Sequence, residues 1–142
     1  MVDVNEKDYV VIVQCDIVMD RCSGYNCERA FNERIGGFSA YPKDEVYRSL
    51  YMTCGGCCGM AVHRKLGNLV RRIKKQEGIG KDRIVVHLAS CMTKDNYHSS
   101  PCPHLDYLKG LIAKLGLDIC EDTFINESSE KRRKAGVYAA GD

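Results

Sequence analysis

The chain has 142 residues, of which 44% are hydrophobic and 28% are charged, and its formal net charge is +2. These values predict one globular domain large enough to bury its own core, and they give no reason to expect a nucleic-acid partner. No stretch reaches the roughly 20 apolar residues that a membrane-spanning helix needs, so we expect no membrane association. The polar, acidic N-terminus does not resemble a secretory signal, and we therefore expect the protein in the reducing cytoplasm.

The first half of the chain predicts two strands with a helix between them. Residues 9–13 form an unbroken apolar run, which is typical of a strand buried on both faces. Residues 22–35 follow as a predicted helix, which Gly36 and Gly37 end. Residues 46–53 then predict the second strand.

The second half continues the same alternation. Residues 61–76 carry the clearest helical pattern, with apolar side chains on one face and Gly78 after the last turn. Residues 83–88 predict the third strand. Pro103 is expected to open a third helix at its first position, with Cys102 as the N-cap. Residues 117–125 predict the fourth strand.

The order of these elements predicts an α/β fold with helices on both faces of a four-stranded, mainly parallel sheet. Such a three-layer domain is flavodoxin-like or Rossmann-like, and we expect the strand order 2-1-3-4 because it places the first strand centrally. We assign residues 1–125 to this domain. Residues 126–142 are polar and strongly charged, and we interpret them as a C-terminal tail or a short surface helix.

Nine cysteines are the most unusual feature of the composition. An odd number cannot be fully paired within one chain, and in a reducing compartment many cysteines indicate metal ligands or reactive thiols. Any single cysteine can equally serve as a small core residue. Their positions relative to the predicted strands therefore have to decide between these interpretations.

The predicted sheet brings most of the cysteines to one edge. Cys15, Cys54 and Cys91 each follow a strand, and the carboxyl ends of parallel strands meet at the edge where α/β folds bind ligands. Loops and helix starts beside them contribute further thiols, whose ionisation a helix N-terminus favours. Only Cys120, inside the fourth strand, is expected to lie apart. The predicted metal ligands are Cys15, Cys22, Cys27, Cys54, Cys57, Cys58, Cys91, Cys102 and His104.

The other histidines are weaker candidates for metal ligands. We expect His87, on the third strand, to be a hydrogen-bonded core residue and His63 to be solvated. His98 lies in a polar loop near Cys102.

Several short runs resemble the CGGC-domain family. The run TCGGCCG at residues 53–59 looks like its signature, and similar blocks lie around Cys22 and Cys27, at residues 87–92 and at residues 101–104. The resemblance covers roughly residues 10–123 and implies metal binding, with zinc the usual suggestion, but no established reaction. Members often have a histidine where this chain has Phe124. By position, the resemblance supports Cys15, Cys22, Cys27, Cys54, Cys57, Cys91, Cys102 and His104.

Three functions therefore remain open. The first is a metal-binding protein, which holds one or more zinc ions or an iron–sulfur cluster. The second is a thiol–disulfide redox protein that uses Cys54 and Cys57. The third is a metallochaperone or a partner of a metalloenzyme. No serine–histidine–aspartate order, phosphate loop or paired carboxylates stand out, so we assign no catalytic residue, and the sequence leaves open whether the protein is an enzyme.

Overall fold

The computed structural model describes residues 4–20, 22–93, 102–121 and 123. Within these ranges four strands and four helices lie along the chain. The strands are β1 (Tyr9–Gln14), β2 (Arg48–Thr53), β3 (Ile84–Leu88) and β4 (Asp118–Glu121). The helices are α1 (Tyr25–Glu33), α2 (Ala61–Glu77), α3 (Ser90–Thr93) and α4 (Leu105–Lys114). Short 3-10 turns lie at Val4–Glu6, Val18–Asp20, Gly36–Phe38 and Lys81–Arg83. None of the helices in this part of the chain is long and apolar enough to cross a membrane.

The four strands form one fully parallel sheet in the order β2-β1-β3-β4. Val11 of β1 pairs with Leu50 of β2 on one side and with Val86 of β3 on the other. This arrangement confirms the predicted fold class and strand order. Because every strand runs the same way, the carboxyl ends of β1, β2 and β3 meet at one edge of the sheet.

Both faces of the sheet are covered, which explains why β1 is buried at every position. Alternate side chains of β1 and β3 point to opposite faces. One face packs against α2 and α4 and forms the larger core, which includes Val11, Val13, Leu66, Val86, Leu88, Leu108 and Ile112. The other face packs against α1 and the turn that follows it, through Val10, Ile12, Phe31, Phe38, Tyr41 and Val85.

His87 is a core residue, as predicted. Its side chain is 1% exposed, and its Nε2 lies 2.6 Å from the hydroxyl oxygen of Tyr41. The Phe38 ring packs 4.4 Å from the imidazole, centroid to centroid. Burial raises the pKa of Tyr41, so its hydroxyl stays protonated in this core. His63 is exposed, also as predicted, whereas His98 and residues 126–142 lie outside the described residues.

Two helix predictions were wrong in detail, and one short helix was not predicted. α1 begins at Tyr25 instead of residue 22, because Gly24 has a left-handed backbone (φ +82°) that cannot continue a helix. α4 begins at Leu105 with His104 as its N-cap, so Pro103 is not the first helical residue and Cys102 is not the N-cap. Cys102 instead belongs to a turn, in which its carbonyl accepts a hydrogen bond from Leu105. α3 has four residues and was not predicted.

Candidate metal centre

A cleft of about 290 Å³, partly open to solvent, lies at the carboxyl edge of the sheet. It is bounded by the segments that follow β1 and β2 and by the start of α4. Met92 and Leu108 contribute apolar lining. The sulfur and nitrogen donors among its lining residues are Cys15, Cys54, Cys57, Cys58, Cys102 and His104.

The ends of β1 and β2 place Cys15 and Cys54 side by side. The backbone N–H of Cys54 donates to the carbonyl of Gln14 at 2.9 Å, which continues the strand pairing past both ends. The backbone N–H of Asp16 then donates to the Cys54 sulfur at 3.5 Å. Cys54 is buried and Cys15 is half-buried. The predicted convergence of the strand-end cysteines is therefore present in this pair.

Thr53 holds the loop that carries the CGGC run. Its hydroxyl donates to a carboxylate oxygen of Asp16 at 2.8 Å and accepts the backbone N–H of Gly55 at 3.2 Å. Lys65 of α2 donates to the carbonyl of Thr53 at 3.0 Å. Gly55 has φ +80°, and a Cβ there would lie 2.5 Å from the Cβ of Ala61. A side chain at Gly55 would therefore push the loop away from α2.

α3 helps to position Cys102 in the cleft lining. The backbone N–H of Cys102 donates to the carbonyl of Met92 at 2.9 Å. Burial raises the pKa of the Cys102 thiol, although a hydrogen bond from the backbone N–H of His104 opposes this. Repulsion from the charges of Cys15, Cys54 and Cys57 raises the pKa further. The expectation that a helix N-terminus favours the Cys102 thiolate was therefore wrong, because Cys102 lies before the N-cap and its partial burial raises the pKa of the thiol.

Cys22, Cys27 and Cys91 were predicted with the same site, but they do not line the cleft. Cys22 precedes α1, Cys27 lies in its first turn, and Cys91 lies in α3. Burial raises the pKa of Cys91 to about 12, a hydrogen bond from the backbone N–H of Cys15 opposes the rise, and repulsion from Cys15, Cys27 and Cys22 adds to it. The role of these three cysteines as metal ligands stays a prediction.

The exposure of the cleft thiols is uneven. Cys57 is exposed, Cys54 is buried, and Cys15, Cys58 and Cys102 are half-buried. All nine cysteines are thiols and none forms a disulfide. Cys120 lies in β4 opposite His87, away from the cleft lining, as predicted.

The donors share a cleft but do not meet at a point. Among the residues that the structure describes, no three histidine, cysteine, aspartate or glutamate side chains are arranged to hold a metal ion. Cysteine side chains have one rotatable χ angle, and Cys57 and Cys58 lie on a loop. Coordination would therefore require side-chain rotation and movement of the loop.

Sequence reasoning missed the residues that shape the cleft. Asp16 was not among the predicted site residues, but it lines the cleft and accepts a hydrogen bond from the Thr53 hydroxyl. Met92 and Leu108 contribute apolar lining, and Lys65 donates a hydrogen bond to Thr53 at the start of the CGGC run. The only signal in the sequence was the position of Asp16 and Thr53 next to strand-end cysteines.

These features define a three-layer α/β protein with a thiol-lined cleft at the carboxyl edge of a parallel sheet. The model of the CGGC domain family matches residues 9–124, and the chain belongs to this family. Membership points to metal binding without specifying the metal. Comparison with curated proteins and with solved structures gave no match.

Proposed function

We propose that the protein binds a zinc ion in the cleft, through thiolates of the CGGC run together with those of Cys15 and Cys102. One observation carries the proposal: segments distant in the chain converge so that five thiols and one imidazole line a single cleft. Random core cysteines have no reason to converge in this way. The sulfur-rich donor set fits a borderline-soft ion, and four of its members suffice for tetrahedral zinc.

The presence of His104 favours zinc over an iron–sulfur cluster. Zinc sites commonly combine thiolates with imidazole, whereas most clusters are held by four thiolates. Hydrogen bonds to a ligated sulfur orient it and adjust its basicity. The backbone N–H of Asp16 already supplies such a bond to Cys54. When bound, the ion would hold the cleft donors together and stabilise the fold.

Anaerobic purification followed by metal analysis and Co²⁺ substitution tests the proposal. We expect about one equivalent of zinc in the cleft and, with Co²⁺, the visible absorption of a tetrahedral sulfur-rich site. The C54S/C57S variant should lose this absorption. The C120S variant is the matched control, because it removes a thiol that does not line the cleft.

Two outcomes would contradict the proposal. The first is a protein that contains no metal after anaerobic purification and binds neither Zn²⁺ nor Co²⁺. The second is full cobalt absorption in folded C54S/C57S. A brown protein that contains iron and acid-labile sulfide would instead indicate an iron–sulfur cluster.

A thiol–disulfide exchange function is the second candidate. The observation that favours it is the exposure of Cys57 beside the buried Cys54, because an accessible attacking thiol with a protected partner suits exchange with a substrate disulfide. This function predicts a reversible Cys54–Cys57 disulfide in redox buffer. Failure of that disulfide to form across a range of glutathione ratios would exclude it.

We also propose that the protein works in the cytoplasm. Nine thiols, an odd number, remain reduced there, and ligation requires reduced thiols. Fractionation of cells that produce the tagged protein tests the location, and recovery in an oxidising compartment would contradict it.

A further inference from the structure

We propose that two copies of the chain pair through the open edge of β2 and form a symmetric dimer with one continuous sheet. The residues that carry this inference are Ser49, Leu50 and Tyr51, in the middle of the outermost strand. None of them lines the cleft, so the inference does not depend on metal binding.

The backbone of β2 directs alternate residues toward β1 and toward the open edge. The N–H groups of Arg48 and Cys54 donate to carbonyl groups at the two ends of β1, each at 2.9 Å. The even-numbered residues of β2 therefore face β1, and Ser49 and Tyr51 face outward. Among the described residues, none forms a hydrogen bond with the backbone N–H or C=O of these two residues. An exposed row of such groups is a template for another strand.

The two edges of the sheet differ in the features that block strand pairing. β4 has four residues, and its exposed end residues Asp118 and Glu121 each form a salt bridge. β2 has six residues in unbroken register with β1, without proline or a bulge. Its one charged side chain, Arg48, donates to the Tyr9 hydroxyl at 2.7 Å and to Glu77 at 2.9 Å. Shortness and charge therefore protect β4, whereas β2 lacks both protections.

The outward groups of β2 are complementary to those of a second copy. Across a two-fold axis at Leu50, Ser49 of each copy lies opposite Tyr51 of the other in an antiparallel pair. Each of these pairs exchanges two backbone hydrogen bonds. A register centred on Tyr51 would instead pair Ser49 with Thr53, whose carbonyl already accepts a hydrogen bond from Lys65. The axis at Leu50 is therefore the favoured register.

The side chains at this edge favour the same register. Leu50 and Met52 pack against the larger core, so Ser49 and Tyr51 point to the opposite face of the sheet. The Tyr51 side chain is 39% exposed. In the dimer the two Tyr51 rings are diagonal neighbours across the axis, within reach of each other. The net charge of +2 per chain opposes this association only weakly.

The proposed dimer keeps both clefts open to solvent. Cys54 follows β2 directly, so the two Cys54 residues would lie at opposite ends of the paired strands, about 26 Å apart. The same register sets Val46 of one copy opposite Cys54 of the other. Val46 is 88% exposed in the single chain, and the dimer would place this side chain at the rim of the other copy's cleft.

Analytical ultracentrifugation of the full chain, with reductant and chelator present, tests the inference. These additives exclude dimers that a disulfide or a metal ion bridges. We expect a monomer–dimer equilibrium with a Kd below about 1 mM, since the interface is small. Amide hydrogen exchange of Ser49 and Tyr51 should be slower at about 1 mM protein than at about 10 µM, because pairing protects their N–H groups.

Tyr51→Pro and Tyr51→Ala form a matched pair. Both remove the ring, but only Tyr51→Pro also removes the outward N–H, and an edge strand tolerates proline at such a position. Two hydrogen bonds per dimer are lost, so we expect Tyr51→Pro to dimerise about 10–100-fold more weakly than Tyr51→Ala. Far-ultraviolet circular dichroism establishes that both variants are folded.

Charged substitutions test the register and keep the inference testable if Tyr51→Pro fails to fold. In S49K/Y51K like charges lie opposite each other at both pairs, so this variant should stay monomeric at about 1 mM. In S49K/Y51E the same positions carry opposite charges, and we expect the dimer to return. Both variants alter only exposed side chains.

Three outcomes would overturn the dimer. The first is an unaltered chain that remains monomeric at about 1 mM. The second is a dimer whose Kd is the same in S49K/Y51K, because another surface would then form it. The third is protection of Ser49 and Tyr51 in the monomer, independent of concentration, because another segment of the same chain would then cover the edge. None of these outcomes bears on the zinc proposal, which cobalt absorption tests separately.

Discussion

Gly59 lies at the end of the CGGC run (residues 53–59) and packs against α4, and its replacement by alanine should destabilise the protein strongly. Its backbone has φ +95°, a region that costs a residue with a Cβ roughly 1–2 kcal/mol. A Cβ at this position would also lie 2.2 Å from Cδ2 of Leu108, whose side chain is buried. Overpacking of this kind typically costs about 1–3 kcal/mol, so we expect G59A to lose about 2–5 kcal/mol of unfolding free energy.

Urea unfolding of the metal-free, reduced protein measures this loss. With a slope of about 2 kcal/mol per molar urea, the midpoint of G59A should fall by about 1–2.5 M. Gly78→Ala is the matched control, since Gly78 has φ +71° and no atom would lie within 4 Å of its added Cβ. Gly78→Ala should lose only the free energy that a left-handed backbone costs a residue with a Cβ, so its urea midpoint should fall by about 0.5–1 M.

A double-mutant cycle with Leu108→Ala separates the steric clash from the backbone strain in the destabilisation caused by G59A. Leu108→Ala alone should cost about 2–5 kcal/mol because it leaves a cavity. In G59A/L108A the added methyl group no longer meets a side chain, so the double variant should be more stable than the sum of the single effects by about 1–3 kcal/mol. Equal midpoint shifts for G59A and Gly78→Ala, or strict additivity in the cycle, would refute this reasoning.

Three further predictions concern the core and the thiols. Tyr41→Phe removes the hydrogen bond to His87, which should lower the unfolding free energy by about 1–3 kcal/mol in urea titrations, and an unchanged midpoint would contradict it. In the metal-free protein near neutral pH, iodoacetamide should modify the exposed Cys57 first and Cys91, with its pKa of about 12, among the last. Peptide mass spectrometry establishes the order of modification, and early modification of Cys91 would contradict this prediction. Because burial raises the pKa of Cys102, zinc must displace its proton, so the apparent affinity of the cleft should rise with pH, by about tenfold per unit for each such thiol. Competition with a chromophoric chelator between about pH 6 and about pH 8 measures this, and a flat profile would be inconsistent with thiol ligation.

The sheet was predictable because its signals are long and local. The apolar run of β1 and the alternation of strands and helices led to the correct strand order. The start of α1 was not predictable, since it depends on the left-handed backbone of Gly24, and a glycine can also occur inside a helix. α3 spans less than two helical turns, too few residues for a periodic pattern to appear.

The candidate site was predictable only in outline. Strand ends correctly indicated that Cys15 and Cys54 meet, because parallel strands end at one edge. The separation of Cys22 and Cys27 from the cleft depends on three-dimensional packing that no spacing encodes. Burial likewise reversed the expected pKa shift of Cys102, because helix position alone does not reveal how much solvent a thiol sees.

The parallel sheet also affects how the chain holds together. Cys15, Cys54 and Cys102 come from three separate β-α units, and the fully parallel sheet of the described residues contains no hairpin that links them. A metal ion that joins them would act as a three-way cross-link over long loops, and closing such loops in advance lowers the entropy of the unfolded chain. The supply of metal would then determine how long the protein stays folded as well as how much of the cleft is occupied by metal. Growth without the metal would leave more of the chain unfolded and open to proteolysis.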